Sequence, residues 1–228
     1  MSETGAPGAG RRSATITERG CAEVRRGPGK AFFAWLLAHG GGTDRRLYGE
    51  RKRTLLSGLG PTVVEIGAGA GPNAAYYAPG TRWLAVEPNA HFHPRLRRAA
   101  EAHGLELDVV PAVAERLPLP DGSADAVVST LVLCSVGDPA AALAEARRVL
   151  RPGGRFVFIE HVAAPEGSRR RAWQRRLRRP WGWVADGCRP DRDTETAIRA
   201  AGFARVELER FRVPGGLVAP HIAGVATR

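Results

Sequence analysis

From residue 62 to residue 161, short β-rich runs alternate with stretches of helical character, and that rhythm leaves few folds open. The β-rich runs are 62–66 (TVVEI), 81–86 (TRWLAV), 106–110 (ELDVV), 125–130 (DAVVST) and 155–161 (RFVFIEH). Helical stretches near 72–78, 90–103 and 138–150 separate them. Alternation at this spacing predicts right-handed βαβ units, and so a parallel sheet covered by helices on both faces. Upstream, 29–59 reads as an apolar helix stopped by glycines (GKAFFAWLLAHGGG) and then an amphipathic one (DRRLYGERKRTLLSGL). Downstream, 165–192 reads as irregular and rich in Arg and Trp, followed by a helix near 193–201 that Gly202 closes. Strands at 203–211 and 220–226 end the chain. The organisation expected is a flexible tail at 1–14, a helical lid segment at 15–60 and one α/β domain at 61–228, which suits a length of 228 residues.

The net charge of +11 invites a nucleic-acid partner. Nearly all the basic residues are arginine, however, with Lys30 and Lys52 the only lysines. That bias fits the coding DNA as well as it fits a partner. No RNA-binding signature and no platform of interleaved aromatic and basic residues accompanies the charge, so nucleic acid stays the minor reading. The longest apolar run, AFFAWLLA at 31–38, is short of a spanning helix, and the N-terminus lacks the order of a secretion signal. Cys21, Cys134 and Cys188 fall at no metal-ligand spacing and form no disulfide framework, so no metal is expected and a reducing cytoplasm is.

The first β-run leads into VVEIGAGAGPN at 63–73, with glycine at 67, 69 and 71. Glycines let a strand turn sharply and let a ligand approach the backbone. A doubly wound sheet binds ligands at this edge, beyond the C-terminal ends of its strands. GAGPNA at 69–74 also fits the dinucleotide pattern G-x-G-x-x-A. Glu87, 20 residues after Gly67, is placed to accept both hydroxyls of a ribose, which a nicotinamide cofactor and S-adenosylmethionine share. Glu65 favours the second: its charge suits a sulfonium-bearing amino acid and would repel a pyrophosphate.

Two further segments carry a resemblance. VAERLPLPDGSADAVVSTLVLCSV at 113–136 resembles the strip that lines adenine and enters the fourth strand of class I S-adenosylmethionine-dependent methyltransferases. EARRVLRPGGRFVFIEH at 145–161 resembles their helix, Pro-Gly-Gly turn and fifth strand. Within that class (methyltransferase type 11, UbiE-like), the chain is similar to the alkyl thiol S-methyltransferases. The similar blocks are YGERKRTLL (48–56), GPNAAYYAPG (71–80), EPN (87–89), TLVLCSV (130–136), EHVAAP (160–165), WQ (173–174), PW (180–181), DGC (186–188) and PHIAG (220–224).

The resemblance implies a Rossmann-like three-layer α/β/α sandwich, with a mostly parallel seven-stranded sheet, an antiparallel last strand and added N-terminal helices. It implies cofactor contacts from Glu65, Gly67, Ala68, Gly69, Gly71 and Asn73 in the turn, and from Glu87, Pro88 and Asn89 after the second strand. Leu131 and the backbone around Ala114 and Glu115 complete the set, Val113 standing where many relatives carry an acid. That subgroup also begins with a longer hydrophobic anchor than the run at 31–38, so a soluble or loosely membrane-touching enzyme is expected.

Methyl transfer is an in-line displacement, in which the protein aligns the reactants and supplies a deprotonated nucleophile. A thiol of pKa near ~8.5 needs only modest help from a base. His161, at the rim after the fifth strand, is the first candidate base, with a structural histidine as its alternative. Asp186 is the second, with a turn-capping role as its alternative. Cys134, Cys188, Trp173 and Trp181 are candidates for an apolar pocket, with a buried small apolar role as the alternative for Cys134 and a helix beneath a lid as that for the tryptophans. Direct transfer requires no covalent cysteine. SRRRAWQRRLRR at 168–179 holds seven arginines and reads first as a solvated helix face, second as an interfacial helix or a lid. The expected activity is methyl transfer to the thiol of a small xenobiotic or secondary metabolite. The rivals are O-, N- or C-transfer to a natural product, quinone or lipid headgroup, and, from another class, a nucleotide-binding protein without methyl transfer or an oxidoreductase using the 69–74 pattern.

Overall fold

The computed structural model describes residues 27–39 and 41–228. The expected tail at 1–14, Cys21 and the start of the lid segment lie outside the described residues. Two helices come first, α1 (Pro28–His39) and α2 (Gly41–Leu56), then β1 (Thr62–Ile66), β2 (Arg82–Val86), α3 (His93–His103) and β3 (Glu106–Val110). β4 (Ala124–Thr130), α4 (Pro139–Val149), β5 (Leu150–His161) and α5 (Arg169–Val184) follow, and α6 (Thr194–Ala200), β6 (Arg205–Arg212) and β7 (Pro220–Thr227) end the chain.

The strands form one seven-stranded sheet in the order β3-β2-β1-β4-β5-β7-β6. The first five pair in parallel, and β7 runs antiparallel to both β5 and β6. Alternate residues of the central strands feed two cores. Val63, Trp83, Ala126 and Val157 meet Leu56 of α2 and Leu96 of α3. Val64, Leu84, Val127 and Phe156 meet Leu143 of α4 and Ile198 of α6. Strands buried on both faces carry near-continuous apolar sequence, which is why TVVEI and DAVVST lack polar alternation. The expected three-layer sandwich is the one observed. β1 lies between β2 and β4, where the strand order reverses, and a crevice opens there at the C-terminal edge.

Two local expectations need correction. The stretch 72–78 forms only a single 3-10 turn, Ala74–Tyr76, and Tyr77 is already extended at φ −84° and ψ 151°. Pro79 disfavours helical geometry in the residue before it. Tyr77 turns inward to hydrogen-bond Glu65. The stretch 165–192 is not irregular: α5 occupies most of it, with Ser168 accepting a hydrogen bond from the Arg171 N–H as its N-cap. Most of its arginines face solvent, Arg171 being tucked against the Asp191 carbonyl, and only Gln174 is buried. Gln174 fixes the helix, accepting from the Ala164 N–H (2.8 Å) and donating to the Leu217 carbonyl (2.9 Å).

Candidate active site

A cavity of about 910 Å3 lies over the C-terminal ends of β1, β2 and β4. Pockets of this size accommodate small-molecule ligands. Of the residues read from the sequence, Glu65, Gly67, Ala68, Gly69, Asn73, Glu87, Pro88, Asn89, Ala114, Glu115, Leu131 and Asp186 all line it. Gly71 does not. It has φ +81°, and a methyl group there would come within 3.0 Å of Ala99 Cβ and 3.1 Å of Trp83, so its smallness serves packing beneath the turn.

The other two glycines differ from each other. At Gly67 (φ +61°) a Cβ would fall 2.6 Å from a Val132 methyl, so β1 can turn only without one. At Gly69 (φ +56°) the nearest atom would be the Gly67 carbonyl oxygen at 4.0 Å, so a Cβ there would fill cavity space. The Gly69 N–H donates to Glu87 Oε2 and the Asn89 N–H to Oε1, both at 2.8 Å. Each carboxylate oxygen keeps a lone pair, so the group can still accept two hydroxyls. Burial raises the Glu87 pKa, opposed by those two backbone donors.

Glu65 is engaged more fully. Its Oε1 accepts from Asn73 Nδ2 (2.9 Å), and its Oε2 from the Tyr77 hydroxyl and Trp83 Nε1 (both 2.8 Å). Burial lifts its pKa to about 7 against these donors. A carboxylate only accepts, so the Asn73 amide is oriented, and its nitrogen also reaches Thr130 Oγ1 at 3.0 Å. Asn73 Oδ1 is left buried with no partner among the described residues. An orphaned acceptor in a cavity wall is a docking point for a cationic donor such as an ammonium. The donor set fits an amino-acid-bearing nucleoside, with hydroxyl acceptors at Glu87 and an ammonium acceptor at Asn73.

α1 and α2 form the roof, with Lys30, Phe33, Thr43, Asp44, Leu47 and Tyr48 lining the cavity. Lys30 Nζ contacts the Asp186 carboxylate, and the Lys30 carbonyl accepts from Asn89 Nδ2 at 3.2 Å. Asp186 (φ +50°) and Leu131 (φ +57°) are the two non-glycine residues at positive φ among those described. Both are in the cavity wall. A bulky residue in that region is strained, and such strain concentrates at functional sites.

His161, Cys134, Cys188, Trp181 and Trp173 are not among the described lining residues. The first four cluster behind the wall: His161 Nε2 is 3.1 Å from Cys188 Sγ, and Trp181 Nε1 donates to that sulfur at 3.3 Å. The Cys134 thiol beside it, with His161 and Trp181, holds the Cys188 pKa down to about 5. Trp173 is 52% exposed on the outer face of α5.

Sequence reading missed a Tyr–His pair. His221 opens β7 opposite His161, and its Nδ1 lies 3.1 Å from the Ala219 carbonyl. A carbonyl only accepts, so Nδ1 carries the proton and Nε2 receives the Tyr48 hydroxyl at 2.9 Å. Burial pushes the His221 pKa down to about 4, and burial together with Asp44 and Glu160 raises that of Tyr48. Tyr48 and His221 are 173 positions apart, and the sole hint was that both fall in quoted blocks, 48–56 and 220–224. Glu160 was also missed; it is fully buried and accepts from Ser129 Oγ at 2.6 Å.

A family model described as a methyltransferase domain matches residues 64–158. Human thiol S-methyltransferase TMT1B is 39% identical over 212 residues, 87% of this chain and 87% of the relative. Human thiol S-methyltransferase TMT1A is 37% identical over the same shares. The structure of a SAM-dependent methyltransferase from Thermotoga maritima matches with a TM-score of 0.64 at 21% identity, over 87% of this chain and 98% of that one, which shows a common fold. On this identity and coverage the chain belongs to the thiol S-methyltransferase family of S-adenosylmethionine-dependent methyltransferases.

Proposed function

We propose that the chain methylates the sulfur of a small thiol that enters the site already ionised. Bound in the cavity, S-adenosylmethionine supplies a methyl group made electrophilic by a positively charged sulfur. Glu87 takes the ribose hydroxyls, Asn73 Oδ1 takes the ammonium of the amino-acid part, and the backbone at Ala114 and Glu115 meets the adenine. Glu65 fixes Asn73 and contributes negative charge beneath the turn. The roof side chains Phe33, Leu47 and Tyr48, with Leu131, keep water from the acceptor.

One observation carries the choice of a thiol: among the described residues no histidine lines the cavity, and the acids there already have tasks, Glu87 with the ribose and Glu65 with its three donors. Asp44 is bonded to Lys52 through both oxygens (2.7 Å each), and Asp186 is paired with Lys30. Glu115 Oε1 accepts from the Gly137 N–H at 2.7 Å, and no histidine is in the wall. His221 lies one hydrogen bond behind Tyr48. Moving a proton from a thiol of pKa ~8.5 to a group near 4 is uphill by about 6 kcal/mol. The acceptor therefore has to ionise in water, which thiols do near neutral pH and alcohols do not. The names of the human relatives agree with this reading.

The test is purified protein with S-adenosylmethionine and matched thiols, alcohols and amines. Thioether formation alone is expected, and methylated alcohols or amines without thioether refute the assignment. No helix among the described residues is long and apolar enough to cross a membrane. The free, buried thiols of Cys134 and Cys188 suit a reducing compartment, so the cytoplasm is the location this reading favours.

A further inference from the structure

Three soft donors from distant parts of the chain meet behind the cavity wall. Cys134 follows β4, His161 ends β5 and Cys188 follows α5, and all three are buried. Their ligand atoms all lie within 4.8 Å of one another. We propose that this cluster is a binding site for one thiophilic metal ion of the Zn2+ class, held by the two thiolates and the imidazole.

The donor chemistry is that of zinc, and hard cations such as Mg2+ are poorly served by sulfur. Bonds of about 2.3 Å to sulfur and ~2.0 Å to nitrogen at tetrahedral angles set the donors about 3.5 Å apart. His161 Nε2 and Cys188 Sγ are now 3.1 Å apart, so the pair has to open by only about 0.4 Å. Charge favours occupancy as well. Both cysteines bind as thiolates, and two thiolates with a dication form a neutral set, which suits a buried place.

The surrounding structure already fixes the donors. The Arg189 N–H donates to the Cys134 carbonyl at 3.0 Å, tying the segment of Cys188 to that of Cys134. Arg192 clamps the same loop from Nη1 through the Leu133 (2.7 Å) and Val136 (2.6 Å) carbonyls. The indole N–H of Trp181 reaches the Cys188 sulfur at 3.3 Å, an outer-shell contact of the kind that tunes a metal-bound thiolate. Three protein donors leave the fourth tetrahedral position to a small ligand such as water. Successive donors are 27 positions apart, which is why the cluster shows no short ligand motif in the sequence.

The experiment uses the full chain, reduced and stripped with a chelator, then titrated with Co2+ as an optical probe. A thiolate-to-cobalt charge-transfer band saturating at one equivalent is expected, bleached by one equivalent of Zn2+, with a rise in melting temperature. Cys134→Ser and Cys188→Ser should each weaken Zn2+ binding by roughly 100-fold or more, while Cys21→Ser leaves it unchanged. A folded, reduced protein that binds no stoichiometric Zn2+ and gives no cobalt–thiolate band overturns the proposal. So does a band lost with Cys21→Ser, or a protein that keeps one tight Zn2+ after both other cysteines are replaced.

Discussion

Replacing Glu87 by Gln tests the cofactor geometry directly. In the native site each Glu87 oxygen holds one backbone N–H at 2.8 Å and faces the cavity with a free lone pair. Two ribose hydroxyls bonded to a charged acceptor contribute about 1.5–3 kcal/mol each. Glutamine keeps one accepting oxygen and turns an NH2 toward the other position, so both contacts become neutral ones of about 0.5–1.5 kcal/mol. The difference is about 2–3 kcal/mol, or roughly 30- to 150-fold in Kd. Calorimetry with S-adenosylhomocysteine should show this loss, and thermal melting without ligand shows whether the variant is folded. The penalty should shrink to less than about threefold for an analogue lacking both ribose hydroxyls, because the interaction removed is then absent from both arms. A folded Glu87→Gln protein that binds S-adenosylhomocysteine within about threefold of the native chain refutes the assignment.

The two turn glycines should separate stability from binding. Gly67→Ala combines a left-handed backbone with a 2.6 Å clash against Val132, and should cost about 2–4 kcal/mol, a fall of roughly 5–15 °C in Tm. Gly69→Ala meets no such clash and should cost only about 1–2 kcal/mol, yet its methyl enters the cavity and S-adenosylhomocysteine binding should fall more than in any remote control. Glu65 gives a pH signature. Its pKa is about 7 in the folded chain against 4.5 otherwise, so between these values the folded state holds the extra proton and stability falls as pH rises, by roughly 3 kcal/mol in total. Urea midpoints at pH 5 and pH 7.5 should show that contribution in the native chain and lose it in Glu65→Gln; parallel shifts in both exclude it. If the acceptor arrives ionised, kcat/KM should rise about tenfold per pH unit up to the thiol's own pKa. Profiles that do not move between thiols of different acidity would point to a base supplied by the protein.

The sheet was legible because each strand of TVVEI, RWLAV and DAVVST is buried on both faces, so burial and sequence carry the same signal. Glu87 was legible for a related reason: a strand end at fixed distance from a glycine turn leaves its side chain little choice of place. α5 was obscured by its exposure, since arginine surrounds a single buried Gln174 and no apolar stripe marks the period. His161 was assigned to the rim because it ends β5, and so it does, but its ring nitrogen meets Cys188 instead of open space. Which residue meets a side chain 27 positions away is decided by packing of the segment after α5, and no local pattern encodes it. Tyr48 and His221 make the same point from opposite ends of the chain.

Lys30 joins both sides of the cavity, its side chain holding Asp186 and its carbonyl holding Asn89. One residue of the roof therefore ties the turn after β2 to the loop after α5. A change that removed Lys30 would loosen two walls of the cavity at once, although it lies in neither of them.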